Sequence, residues 1–365
     1  MTIIRLSLIV MCSFLTSCVS ASRSAPLPYS ALNTTHIAEF GLIRFWGDET
    51  SPEISSYVDT QFEQVRASGC RRCTKEANFL ALSGGGADGA FAAGMLNGWS
   101  QHGNRPVFEV VTGVSTGSLA APFAFLGQRY DTALQEVYTQ ISDKDIYINK
   151  GAFALAGPSL YDNAPLRDLI TKLVTENLLD EISREHLRGR RLLVQTTNID
   201  AQRPVIWDMG AIAASRSKER RTLFVNILLA SAAIPVIFPP VSIKVRSGDR
   251  VYDELHVDGG VTSQITFGPP GLDLNRAERT AFGAHRIKNL YVIRNGKIEP
   301  EYMAVDQSAP DLAKRAVGTM VKYQTLSNIR NLYTRARPPI SICRSSPFPK
   351  HFPKSRKANS IRPIW

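Results

Sequence analysis

Thr112-Gly113-Val114-Ser115-Thr116-Gly117 sets a serine between two glycines, where the apolar run Val107-Phe108-Glu109-Val110-Val111 gives way to Ser118-Leu119-Ala120-Ala121. Strand, sharp turn and helix in that order make a nucleophile elbow. Gly113 and Gly117 allow the bend, and the helix beginning at Thr116 turns its positive dipole end toward the hydroxyl. A serine hydroxyl is a weak nucleophile and needs a base. Among the six histidines, His285 is the candidate in a Ser…Asp…His order, but no motif surrounds it. Tyr252-Asp253-Glu254-Leu255-His256-Val257-Asp258-Gly259-Gly260 instead ends a strand-like run on an acid, and the two glycines let the backbone turn away. Asp258 is the better base.

A second glycine cluster lies upstream. Asn78-Phe79-Leu80-Ala81-Leu82 reads as a buried strand, and Ala90, Phe91, Ala93, Met95, Leu96 and Trp99 are spaced for a helix. The intervening Ser83-Gly84-Gly85-Gly86-Ala87-Asp88-Gly89 is then a strand-to-helix loop whose free N–H groups could cradle an oxyanion or a phosphate. Gly84-x-Gly86-x-x-Gly89 also fits a dinucleotide fingerprint. That reading needs an acid at the end of the next strand. Glu109 lies inside its run instead, and the run leads straight to Ser115.

Taken in order, G-G-G-x-x-G, G-x-S-x-G and D-G-G resemble the patatin-like phospholipase family over about residues 76–300, and Leu229 to Pro240 is similar to the family's apolar, proline-rich segment before D-G-G. The resemblance implies a three-layer α/β/α sandwich around a central, mostly parallel sheet. It implies a Ser–Asp dyad in which Ser115 attacks an acyl carbonyl and Asp258 is the general base. Gly84, Gly85, Gly86 and Gly89 would form the oxyanion hole, Gly113 and Gly117 the elbow, and Gly259 and Gly260 the turn after the acid. It implies neither metal nor organic cofactor, with membrane lipids as substrate and surface. One position departs from the pattern: relatives often carry Arg or Lys where this chain has Asp88. Asp88 is expected to serve the helix N-terminus and to point away from Ser115. The alternative is a catalytically silent lipoprotein of the same fold that binds lipid or a partner.

The elements that must position these residues alternate between helix and strand, as α/β layers require. Helical stretches are expected between about 131 and 180 and around 220–233, with strands at Leu192–Thr196, Pro204–Trp207 and Leu290–Arg294. A last helix, Leu312 to Leu332, has apolar positions at 312, 316, 320, 323, 326 and 329. Trp99 and Trp207 read as core aromatics, His102 and His186 as surface residues, and His256 as a packing residue on the same strand face as Asp258. Asp200 and Asp208 are rival acids near a strand end, without the paired glycines.

Composition bounds the partners. The 365 residues are 44% hydrophobic and 21% charged, with a formal charge of +11. Arg344, Lys350, Lys354, Arg356, Lys357 and Arg362 fall in residues 338–365, which hold no acid. With the charge concentrated there and no zinc-finger, RNP-type or basic-zipper pattern, nucleic acid is not an expected partner. No run of 18 apolar residues is present to span a membrane. Residues 1–17 instead have the layout of a signal peptide, and Leu15-Thr16-Ser17-Cys18 looks like a lipobox, implying diacylglycerol on Cys18. Residues 18–75 are read as a lipidated N-terminus, a linker (19–37) and an extension, 76–335 as the acyl hydrolase domain, and 336–365 as a disordered basic, Pro-rich tail. The leader predicts an exported, membrane-anchored lipoprotein at the outer membrane or a periplasmic face, with secretion as the alternative. Cys70 and Cys73 could be a local disulfide, half a metal site or unrelated thiols.

Overall fold

The computed structural model describes residues 23, 25–151, 154, 157–268, 274–336 and 340–344; the leader, Cys18 and the tail beyond Arg344 lie outside the described residues. In chain order the elements are β1 (Arg44–Trp46), α1 (Pro52–Ala67), β2 (Glu76–Leu82), α2 (Gly89–Gln101), β3 (Val110–Val114), α3 (Thr116–Leu126) and α4 (Asp131–Thr139). The short pair β4 (Ile148–Asn149) and β5 (Tyr161–Asp162) is followed by α5 (Ala164–Leu173), α6 (Glu176–Leu187), β6 (Arg191–Asn198), β7 (Arg203–Asp208), α7 (Met209–Ala214) and α8 (Arg220–Ser231). The chain closes with β8 (Val241–Ser247), β9 (Arg250–Asp258), α9 (Leu274–Phe282), β10 (Ile287–Arg294), α10 (Ala309–Ala336) and β11 (Ile340–Arg344).

Among the described residues, a nine-stranded sheet is built on five parallel strands in the order β6-β3-β2-β10-β11. β7 and β1 extend it antiparallel beyond β6, and the β8–β9 hairpin joins through β9. Alternation along each strand divides two cores. Leu80, Leu82, Val194, Trp207 and Ile293 face one, with Leu96 of α2, Phe125 of α3, Ile182 of α6 and Phe224 of α8. Phe79, Ala81, Leu193, Ile206 and Val292 face the other, with Ile329 and Leu332 of α10. Burial on both faces is why the central strands read as continuous apolar runs. The expected α/β sandwich with a central, mostly parallel sheet is the fold.

The register at β6 positions the rest. One edge of β6 pairs with β7 over residues 193–198. Its other edge pairs with β3 up to Val114 opposite Gln195, and then with β9, whose Asp258 stands opposite Thr196. β3 runs parallel to β6 and β9 antiparallel, so their C-terminal ends meet head to head.

Two expectations change. Of residues 19–37, read as a tether, the described part lies against the sheet: Pro26 bridges Asp253, and His36 and Arg246 exchange backbone hydrogen bonds of 3.0 and 2.8 Å. The extension before residue 76 supplies β1 and also α1, which buries Ile54, Val58, Phe62 and Val65. These segments cover strand edges that would otherwise expose unpaired backbone groups. The apolar stripe of α10 is covered only in part, since the helix docks through its C-terminal half: Ile329 and Leu332 are buried, while Leu312, Met320 and Tyr323 are exposed. The strand–helix rhythm also continues past residue 336, since β11 pairs in parallel with β10.

Glu109 is buried and engaged by Arg286, with Nη1 donating to Oε2 at 2.6 Å and Nη2 to Oε1 at 3.0 Å. Arg286 Nε also donates to Glu278 Oε1 at 3.0 Å. Arg286→Met leaves Glu109 buried without its bidentate partner, and is expected to lower unfolding stability by about 3–5 kcal/mol in urea titrations. A loss below about 1 kcal/mol, the range of an exposed pair, would show that the pair does not hold this edge of the core.

Candidate active site

Ser115 follows the last residue of β3 with φ 54° and ψ −127°, in the left-handed half of the map that a serine rarely adopts. Its surroundings hold it there. Ser115 N–H donates to Ser231 Oγ at 3.0 Å, and Ser231 Oγ donates to the Gln195 carbonyl at 2.7 Å. The Ser115 carbonyl accepts from Ser118 Oγ at 2.6 Å and Ser118 N–H at 2.8 Å. The flanking glycines are required by space. A Cβ on Gly113 would lie 2.6 Å from the Gly117 carbonyl oxygen, and one on Gly117 would lie 2.5 Å from the Leu82 carbonyl oxygen.

Asp258 arrives from the opposite direction at the end of β9. Its N–H donates to the Ala233 carbonyl at 2.9 Å, and its Oδ1 accepts from Gly260 N–H at 2.7 Å. Gly259 has no room for a side chain because a Cβ would collide with the Gln195 carbonyl. The carboxylate is 5% exposed and Ser115 is 6% exposed. Burial pushes the Asp258 carboxyl up to about 6, against the opposing pull of the Ser115 hydroxyl and the Gly260 N–H. A carboxylate facing a serine hydroxyl, with no cation among the groups that set its charge state, is ionised yet basic at neutral pH.

The glycine loop divides the four expected oxyanion donors. Gly84 N–H is already used, donating to the Gln264 carbonyl at 3.1 Å, and Gly89 N–H is turned back to the Gly86 and Ala87 carbonyls. Gly85 and Gly86 N–H have no protein acceptor among the described residues, so the free donors are these two. The glycines still matter for closeness. A Cβ on Gly84 would lie 3.3 Å from Ser115 Cβ, one on Gly85 would strike Asn295, and one on Gly89 would strike Thr116. Gly86 has φ 57° and open space around it.

Residues that the motif reading does not single out hold this loop. Gln264 accepts from Gly84 and donates through Nε2 to the Gly260 carbonyl at 2.9 Å, tying the glycine loop to the turn after Asp258. Its own N–H reaches Asn328 Oδ1 of α10 at 2.9 Å. Buried Asn295 donates through Nδ2 to the Ser83 carbonyl at 2.8 Å and accepts Ala92 N–H of α2 at 3.1 Å. Asp88 makes no side-chain cap of α2, contrary to its expected role. It is exposed beside Gly296 and Arg294. Burial lowers the Arg294 guanidinium to about 10 and Asp88 opposes that fall, so the group is cationic at neutral pH.

The other candidates are engaged elsewhere. His285 is exposed and 2.8 Å from Arg279. His256 is buried between Thr196 Oγ1 at 2.9 Å and Glu254 Oε2 at 3.1 Å. His102 ends α2, whereas His186, expected at the surface, is buried 3.6 Å from Asp208. Asp208 caps α7 through Ala211 N–H, and Asp200 pairs with Arg23. Glu109, the acid of the dinucleotide reading, is committed to Arg286. Cys70 and Cys73 form a disulfide, and among the described residues no cluster of three or more His, Cys, Asp or Glu could hold a metal. Trp99 and Trp207 are core aromatics, as expected.

The raised carboxyl of Asp258 makes stability depend on pH. An unfolded chain ionises it near 3.8, so the folded chain retains its proton up to about 6, and stability falls as pH rises through that window. Asp258→Asn removes the dependence. It is expected to exceed the wild type at pH 8 by on the order of 2–3 kcal/mol, with the advantage vanishing below about pH 4. Urea unfolding at both pH values measures this, and no gain at pH 8 would mean that the buried charge carries no penalty.

The model of the patatin-like phospholipase family matches residues 80–269. No curated protein matches the chain. Among solved structures, VipD from Legionella pneumophila is similar with a TM-score of 0.37 and 14% identity, over 67% of this chain and 53% of that one. Human GIVD cytosolic phospholipase A2 is similar with a TM-score of 0.32 and 9% identity, over 76% of this chain and 52% of that one. The chain spans about half the length of each of these two proteins. The family match covers about half of the chain and contains the glycine loop, the serine elbow and the D-G-G turn, and on that ground the chain belongs to the patatin-like phospholipase family.

Proposed function

We propose that this chain is a serine acyl hydrolase that cleaves carboxylic ester bonds of membrane lipids through a Ser115–Asp258 dyad. The observation that carries the reading is a strained serine facing a buried carboxylate that is basic enough to take its proton. In acylation Ser115 Oγ bonds to the ester carbonyl carbon while its proton passes to Asp258. The carbonyl oxygen gains the negative charge, and the free Gly85 and Gly86 N–H groups are the donors available to it. Collapse breaks the bond to the alcohol oxygen, which leaves with the proton from Asp258. Water then attacks the acyl-serine, gives its proton to Asp258, and releases the fatty acid as Ser115 recovers that proton.

Support for a lipid substrate comes from the family and from exposed apolar residues next in sequence to those that hold Asp258. Val261 follows the D-G-G turn, while Ile234 and Val236 follow Ala233, whose carbonyl holds Asp258 N–H; all three side chains are exposed and apolar. Exposed apolar side chains at these positions suit acyl chains better than a polar substrate. The leader over residues 1–17, followed by Cys18, supports export and anchoring of the enzyme to a membrane by acyl chains. The silent-lipoprotein alternative draws on Asp88, but that carboxylate sits beside cationic Arg294 and leaves the two free N–H donors unpaired with it.

A fluorescent fluorophosphonate is expected to label the wild type and release of fatty acid from phospholipid vesicles to accompany it. Ser115→Ala should abolish both, and Asp258→Asn should reduce both by about 10²–10⁴-fold, the span of a lost general base. For the wild type, kcat/KM should fall as pH drops below about 6, because protonated Asp258 cannot accept the serine proton. A folded wild type that neither takes the label nor releases fatty acid would leave the silent lipid-binding alternative standing.

A further inference from the structure

Arg294 is the last residue of β10, one step beyond the pairing of Ile293 with Leu82 of β2, and this register brings it alongside Ser83 and Gly84. Its side chain is buried, and Nη1 donates to the Gly84 carbonyl at 2.5 Å and to Ser83 Oγ at 3.2 Å, with the Asn295 carbonyl as a further acceptor. The Gly84 carbonyl also accepts from Ser83 Oγ at 2.7 Å. One peptide oxygen in the glycine loop is therefore held by a cation and a hydroxyl together.

That peptide joins Gly84 to Gly85. In a trans peptide the carbonyl and the following N–H point in opposite directions, so a clamp on the Gly84 oxygen fixes the aim of the Gly85 N–H. The Gly85 N–H is one of the two loop donors that no protein acceptor uses among the described residues. Asn295, next in sequence, closes the same bracket: its N–H donates to Ser83 Oγ at 2.8 Å, and it fills the space that a Gly85 side chain would need. A guanidinium pulling on the carbonyl oxygen also polarises the peptide, making its N–H a stronger donor.

We infer that Arg294 is a positioning residue that orients and polarises the Gly84–Gly85 peptide so that the Gly85 N–H meets the oxyanion formed on the substrate. Arg294 touches neither substrate nor Ser115 in this role; it acts through the loop. The inference rests on the hydrolase reading above, and its test separates the two.

Arg294→Met and Arg294→Lys are compared with the wild type on a short-chain oxoester and on the matching thionoester, whose sulfur accepts hydrogen bonds poorly and so gains less from an oxyanion hole. Losing one oxyanion donor costs about 10²–10³ in kcat, and a misaimed donor should cost about 10–100-fold. Arg294→Met is expected to lower kcat on the oxoester by about that factor with KM within about twofold, and to lower the oxoester-to-thionoester ratio of kcat/KM. Arg294→Lys, which keeps a cation near the Gly84 oxygen, should recover part of both. General damage to the fold would lower the two substrates together, and an unchanged ratio in a slowed variant overturns the inference, as does an unchanged kcat. Should Arg294→Met fail to fold, the ratio measured with Arg294→Lys decides the matter in the same way. A wild type inactive on both esters overturns the hydrolase reading itself, whereas an active wild type with unaltered variants overturns the role of Arg294 alone.

Discussion

Everything at the candidate site depends on one edge of one strand. β6 offers that edge first to β3 and then to β9, and because the two run in opposite senses their C-terminal ends converge between Gln195 and Thr196. Neither Ser115 nor Asp258 needs a long loop to reach the other. Asp258 ends β9 and Ser115 follows the last residue of β3, so each backbone is anchored by a ladder on one side, with the glycine turn beyond Asp258 and α3 beyond Ser115. Ser231 and Gln195 tighten the junction, since the serine N–H, the Ser231 hydroxyl and the Gln195 carbonyl form a chain across it. Precise placement on rigid elements is what catalytic geometry requires.

Buried acids among the described residues differ in what meets them. Glu109 is met by Arg286, and Glu278 by Arg286 and Lys288. In Glu254 burial acts to raise the carboxyl, yet His256 and Arg44 hold it down to about 2. Asp258 is met only by hydrogen-bond donors, and burial prevails. Burial raises the Glu109 carboxyl as well, but that group is committed to a guanidinium, whereas Asp258 has no cation beside it and faces the Ser115 hydroxyl at a cost in stability. The strained backbone of Ser115 belongs to the same exchange, since a left-handed serine persists only where its surroundings over-determine it.

Much of this was legible in the residues. The strand–loop–helix context of Gly84 to Gly89, the elbow around Ser115 and the stop at Asp258 could be read because glycine spacing and apolar runs are local signals. What could not be read depends on contacts distant in sequence. Arg294 ends an ordinary apolar strand, and nothing near it announces that parallel pairing of β10 with β2 will bring it to the Gly84 carbonyl. Gln264 and Asn295 are likewise unremarkable until folded. The free N–H groups of Gly85 and Gly86 could not be told from that of Gly84, which is consumed by a carbonyl 180 residues away in the chain. How far the stripe on α10 is buried was not legible either, because periodicity reports an apolar face without saying how much of it is covered.

The central claim is that Ser115 carries the acyl group during turnover, and acid-quenched mass spectrometry of the intact chain during hydrolysis of a slowly deacylating ester addresses it directly. The account expects a mass increase of one acyl group, mapped to the peptide containing Ser115, that appears before product accumulates and disappears as the ester is exhausted. Steady turnover with no covalent adduct, or an adduct on a different residue, would contradict it.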